Sequence, residues 1–202
     1  MRREFDPADT DPSRLALTLK SIVVPRPIAW VSTVSADGVT NLAPHSFFTV
    51  ASEVPPVVQF TSIGSKDTLK NVEETGEFVV CLAGRELVAE VNGTGTDYPS
   101  ALSEFDELGI ETEPSARVRP PRVRPSPAAI ECRLERVVSF GEASVVFGAV
   151  ELIAITESVL VGDHPDVRLL DPLARLGRNE WSTLGEVLEI DRIPYRPVSP
   201  RE

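Results

Sequence analysis

Residues 25–48 read PRPIAWVSTVSADGVTNLAPHSFF, and Lys66-Asp67-Thr68 follows eighteen residues on. Pro25 and Pro27 hold the backbone extended. Residues 28–34 then run into β-branched side chains around Trp30, and Asp37-Gly38 is a strong signal for a tight hairpin turn. Residues 39–43 return as the partner strand and lead into a loop, Pro44-His45-Ser46-Phe47-Phe48. A third strand is expected over 57–61, after Pro55-Pro56. Residues 67–74 read as a helix, capped by Ser65 or Asp67 and stopped by Gly76. Two strands, a polar and aromatic loop, and a helix start carrying Lys and Thr suit a flat aromatic cofactor with a phosphate tail.

Outward from this stretch the pattern stays mainly β. Asp11-Pro12 marks the start of a short helix to about Lys20. Residues 78–82 form a buried strand, and 85–91 and 103–108 short helices. The last of these opens with Ser103 and places Asp106 three residues on, a weak capping box. Residues 128–140 and 144–156 are long strand patterns joined by a short connection, as an antiparallel pair requires. Residues 159–161 add a short strand, and 186–190 look strand-like. Long helices do not alternate with strands, which disfavours a parallel βαβ sheet. An antiparallel barrel or sandwich with helical insertions is expected, as one domain over 1–202 with a core of about 20–180 and a tail of 181–202.

Composition narrows the function. The chain of 202 residues carries a net charge of −11, which argues against binding to nucleic acid. Arg117, Arg119, Arg122 and Arg124 run against that charge, and read as a solvated surface loop or a landing strip for a phosphorylated ligand. Cys81 and Cys132 sit in apolar strand patterns and are expected as buried free thiols. The start, MRREFDPADTD, has no signal-peptide pattern, and no apolar run reaches the roughly 20 residues that span a bilayer. A cytoplasmic protein without membrane contact is expected.

His45 and His164 are far apart in sequence, and no CxxC or HExxH spacing exists, so a protein-held metal is not expected. GxSxG and Gly-rich phosphate loops are also missing. Any redox chemistry must then come from a cofactor. Around the first hairpin, Thr33, Asn41, Ser46 and the Ala43-Pro44 backbone supply hydrogen-bonding groups beside Trp30, Phe47 and Phe48. An isoalloxazine ring needs that combination, although a Trp and two Phe in strands also suit a plain core. Lys66 and Thr68 beside free helix amides provide a phosphate site, or merely a solvated helix start.

In order along the chain come PRPIAWVST, DGVTNLAPHSFF, KDTLKN, TGEFVV, SEFDELGI, PPRV, IECRL, FGAV and PLARLG. This series resembles the flavin-reductase-like, FMN-binding split-barrel family, including flavoredoxin-type proteins. The resemblance implies a Greek-key split barrel working as a homodimer, with FMN near the subunit interface. It implies that Trp30, Ser32 and Thr33 lie near the flavin. Asn41, Ala43, Pro44, His45, Ser46, Phe47 and Phe48 would line its ring and ribityl chain, while Lys66, Asp67 and Thr68 hold the phosphate. Arg175 and Gly177 would approach from a late motif. The implied activity is an NAD(P)H-dependent, FMN-binding oxidoreductase, or a flavoredoxin-type electron carrier reduced by a redox partner protein. The chain departs from the family at Cys81, often Asn, at Trp181, usually Tyr, and at Asp171. There the short flavin reductases commonly carry a His that contacts nicotinamide, and a carboxylate is a poor neighbour for a nucleotide phosphate. No general acid or base is implied.

Overall fold

The computed structural model describes residues 1–195. Helix α1 (Pro12–Ile22) starts where Asp11 Oδ1 accepts from the amides of Ser13 and Arg14 at 3.0 and 3.1 Å. It buries none of its residues. A short strand β1 (Arg26–Pro27) leads into β2 (Ala29–Val34), β3 (Thr40–His45), β4 (Phe48–Glu53) and β5 (Pro56–Ile63). Helix α2 (Asp67–Thr75) and strand β6 (Glu77–Leu82) follow, then helices α3 (Val88–Gly93) and α4 (Glu104–Glu107). The short pair β7 (Thr112–Glu113) and β8 (Arg122–Val123) precedes the long hairpin of β9 (Ala128–Phe140) and β10 (Ala143–Ile155). The chain ends in β11 (Leu160–Val161), β12 (His164–Pro165), α5 (Val167–Leu170), β13 (Ala174–Arg175) and β14 (Trp181–Ser182).

The main sheet has the order β3-β2-β6-β9-β10-β5-β4, antiparallel throughout. Its central strands separate two cores. Trp30, Val79 and Cys81 point to one side, beneath Val91 of α3 and Phe105 of α4. Val31, Phe78 and Val80 point to the other, with Phe60 and Val146. A strand buried on both faces needs consecutive apolar residues, and that is why β6 reads Phe-Val-Val-Cys. The long hairpin bends at bulges between Phe147 and Gly148 and between Val150 and Leu152. At Gly148 a Cβ would lie 2.2 Å from Phe78 Cζ, so only glycine admits that ring. The mainly β, split-barrel expectation is met.

Several local expectations are corrected. Phe48 belongs to a strand, β4, rather than a loop; β4 is half-exposed at the sheet edge and lacks a continuous apolar run. Neither Ser65 nor Asp67 caps α2, because Lys66 takes the N-cap position and no side chain bonds the first amides. The 85–91 helix is split into a 3₁₀ turn and α3. Ser103 holds the N-cap position of α4 as expected, but its hydroxyl lies 2.6 Å from that of Thr40 and bonds no helix amide, so no capping box forms. Residues 186–190 form no strand. Residues 196–202 of the expected tail lie outside the described residues.

Cys81 and Cys132 are free and buried in different cores. Burial pushes both thiols up to about 12, so neither is a nucleophile at neutral pH. No helix among the described residues is long and apolar enough to cross a membrane.

Candidate functional site

Asn41, Ala43 and His45, alternate residues of β3, face a cleft of about 380 Å³, within the range of small-molecule sites. Pro44, Ser46 and Phe47 continue that wall. The start of α2 closes one end, and α1, Arg26 and the β13–β14 hairpin close the other. The loop after α3, Thr94 to Tyr98, forms the facing wall.

The α2 end is built for an anion. Its first amides have no side-chain cap, and unpaired amides at a helix N-terminus attract negative charge. Thr68 Oγ1 accepts from Asn41 Nδ2 at 3.0 Å, which leaves its own proton to donate. Asn41 Nδ2 also reaches Thr33 Oγ1 at 3.3 Å, and Asn71 Nδ2 donates to the same oxygen at 3.1 Å. This buried network fixes Asn41 and Thr68 from behind. Lys66 Nζ meets Asp97 Oδ1 at 2.5 Å across the mouth. Both side chains are exposed, so this pair is weakly held and an incoming phosphate can replace Asp97.

Midway along the cleft, His45 Nδ1 lies 3.3 Å from the Thr61 carbonyl, and its ring packs 4.8 Å from Phe60. Nδ1–H therefore donates, and Nε2 is a buried acceptor without a partner. Burial pushes this imidazole down to about 4, so it is neutral at physiological pH. Glu104 is buried, and its Oε2 accepts from the Leu42 amide at 2.9 Å. Burial raises its carboxyl above the ordinary value, although the Leu42 hydrogen bond opposes this.

At the far end Arg26 donates to the Lys20, Val23 and Leu176 carbonyls, tying the end of α1 to the β13–β14 hairpin. Its guanidinium carbon lies 5.9 Å from the centre of the Phe47 ring. Arg175 stacks 4.5 Å over Trp181.

Most of the sequence-predicted residues meet here: Asn41, Ala43, Pro44, His45, Ser46, Phe47, Lys66, Asp67, Thr68 and Arg175 all line the cleft. Five do not. Trp30 is fully buried in the first core, where Nε1 donates to Thr94 Oγ1 at 2.8 Å and so holds the facing wall. Ser32 and Thr33 are fully buried in β2 behind Asn41. Phe48 packs on the second core. A Cβ at Gly177 would meet Ser21 Oγ at 2.6 Å, so this glycine seats the hairpin against α1.

Sequence reasoning missed the Thr94–Tyr98 wall, Glu104 and Arg178. The small, polar run Thr94-Gly95-Thr96-Asp97 was the available signal. The arginine-rich loop is not a phosphate strip. Arg119 pairs with Glu77 at 3.2 Å, and Arg122 with the fully buried Glu131 at 2.5 Å. Asp171 is held by Arg85 at 2.7 Å, so its charge is answered locally.

Comparison with known proteins gives this geometry a lineage. An uncharacterized protein of Aquifex aeolicus is 36% identical over 180 residues, 86% of this chain and 92% of the relative. Nitrilotriacetate monooxygenase component B from Bacillus cereus superposes with a TM-score of 0.91 at 27% identity, covering 94% of this chain and 99% of that one. The 2-nitrobenzoate 2-nitroreductase of Pseudomonas fluorescens gives 0.89 at 26%, covering 98% and 100%. A family model described as flavin reductase like domain matches residues 21–165, most of the chain, and the protein belongs to that family.

Proposed function

We propose that this chain binds FMN in the β3 cleft and acts, as a homodimer, as an NAD(P)H-dependent flavin reductase-like oxidoreductase. The observation that carries this reading is the uncapped start of α2, where free amides, Lys66 and the Thr68 hydroxyl converge on one end of a cleft with an aromatic wall. Such a set recognises a phosphate monoester. The rest of the cleft fits the ring and polyol. Phe47 offers an apolar face, and the orphaned His45 Nε2 offers an acceptor to an N–H or O–H.

When bound, FMN would supply the hydride-accepting N5 and pass electrons on to free flavin, oxygen or another small acceptor. The chain's own part is to bind and orient. Lys66, Thr68 and the α2 amides hold the phosphate, and the Asn41 network fixes their position. Trp30 locks the facing wall through Thr94. Neutral His45 moves no proton at physiological pH, and hydride transfer at carbon asks for none. The neighbouring monooxygenase component and nitroreductase support a redox role by their names. Asp171, engaged by Arg85, presents no free carboxylate to a nucleotide.

A second reading is the flavoredoxin-type carrier, favoured by the net charge of −11, which suits electrostatic docking to a basic partner. An anaerobic absorbance spectrum of the protein with FMN, before and after NADH or NADPH, separates the two. Bleaching of protein-bound flavin within seconds supports the reductase. Bands that persist with both nucleotides and bleach only with a chemical or protein reductant support the carrier. No FMN uptake at all sinks both.

A further inference from the structure

We propose that the far end of the cleft is a second anion subsite, which takes the carboxylate or phosphate oxygens of the small molecule that exchanges electrons with the flavin. This rests on reading the cleft as a flavin site. Lys20, Arg26, Arg175 and Arg178 all line that end, and none of them has a carboxylate partner among the described residues. This happens in a chain with 31 acidic residues against 20 basic ones, so the cluster stands against the overall charge of the molecule.

Arg26 is only 7% exposed, and its Nε is buried without a partner. Burial, and then repulsion from Arg175, lowers its affinity for its proton. Arg26 and Arg175 are register partners across β1 and β13, so two cations lie side by side here and favour an anion beside them. The three carbonyls around Arg26 answer its Nη groups and leave its Nε without a partner, while Arg175 meets the Arg178 carbonyl at 3.0 Å and the Trp181 ring, neither of them an anion. Glycine at 177 lets the hairpin close on Ser21, which carries Arg175 and Arg178 up against the end of α1 where Lys20 sits.

The flavin's own phosphate is assigned to the α2 end, and the arginine end lies along the strand edge from it. Thr68 bonds Asn41, which pairs with Thr33, and Arg26 lies seven residues before Thr33 in the chain. At about 3.3 Å per extended residue, Arg26 and Thr33 are up to roughly 23 Å apart along the strand edge. FMN has one phosphate. With that group at Lys66, the far cluster remains for an anion on the exchangeable molecule. The shared chemistry is an oxyanion; it can belong to the diphosphate of a pyridine nucleotide or to the carboxylate of an organic acceptor.

The test uses FMN-saturated protein and two probes, inorganic pyrophosphate and benzoate, titrated by calorimetry into wild type and the double variant Lys20→Ala/Arg178→Ala. Neither side chain belongs to the FMN phosphate set, and Arg26, which staples the fold, is left intact. At least one probe is expected to bind wild type, and the double variant to bind it roughly tenfold or more weakly with unchanged FMN affinity. Pyrophosphate binding identifies the nucleotide as the source, and benzoate binding the acceptor. KM for the matching anionic substrate should rise in step, while a neutral acceptor such as nitrobenzene is unaffected. Equal affinity in both proteins, or no binding of either probe, overturns the proposal. A shift in flavin midpoint potential without a change in probe affinity overturns it in favour of cations acting on the flavin. Weakened self-association of the double variant, with unchanged probe affinity, overturns it in favour of a subunit contact. Failure to take up FMN at all is a separate result, and it removes the function proposed above.

Discussion

In the loop around residues 117–124, Arg119, Arg122 and Arg124 meet Glu77, Glu113, Glu131 and Glu111; at the far end of the cleft, Lys20, Arg26, Arg175 and Arg178 meet no carboxylate among the described residues. The first region is finished within the chain. Glu131 is fully buried, yet Ala116 N, Arg117 N and the Arg122 guanidinium satisfy it. Among the described residues the second region leaves these cations without a carboxylate, the Arg26 Nε and His45 Nε2 without a hydrogen-bond partner, and the α2 amides without a side-chain cap. A run of arginines in sequence therefore says little by itself. What separates scaffold from site is whether the fold supplies the opposite charge.

The largest expected effect lies in the finished region. Glu131→Ala leaves two amides without their acceptor and the half-buried Arg122 guanidinium with Glu113 alone, and should cost about 3–5 kcal/mol in urea unfolding. A loss below about 1 kcal/mol would show that the loop is held by other contacts. In the cleft, His45 gives a pH signature. Its folded value of about 4 lies below the ordinary value of 6.5, so the unfolded chain takes up the proton first as pH falls. Its contribution is full above about 6.5 and is lost toward 4, by up to about 3 kcal/mol. His45→Gln should flatten that part of the stability curve; an unchanged slope would mean that the ring is solvated. Thr68→Val should weaken FMN by several-fold, the worth of about 1 kcal/mol for one hydrogen bond, as read by flavin fluorescence quenching. Arg124→Ala removes an exposed pair with Glu111 and should move unfolding by less than about 0.5 kcal/mol. A larger change would put Arg124 in the finished network with Arg122.

Much of this was legible in the sequence, for physical reasons. Asp37-Gly38 fixed the first hairpin, since Gly38 adopts φ +88, and the apolar run of β6 announced a strand buried on both sides. The long 128–140 and 143–155 pair was visible from length and a short connection. The edge strand β4 was not, because a half-exposed strand has no strong apolar alternation. In the site, strand parity explains two of the misses. Asn41 and His45 face the cleft, whereas Trp30 and Ser32 of the neighbouring strand are buried away from it. The resemblance placed them near the flavin as a group; only the fold shows Trp30 acting at one remove, through Thr94. Glu104 and the Thr94–Tyr98 wall come from helix-loop segments distant in sequence, and nothing local marked them as facing β3.

The reading of the α2 end as the phosphate site is tested most directly by comparing FMN with riboflavin, which lacks the phosphate, in wild type and Lys66→Ala. The account predicts that Lys66→Ala weakens FMN by roughly tenfold or more, the worth of a charge-assisted hydrogen bond, and changes riboflavin by less than about twofold. If riboflavin affinity falls as far as FMN affinity, Lys66 does not hold the phosphate, and the assignment of this end of the cleft is wrong.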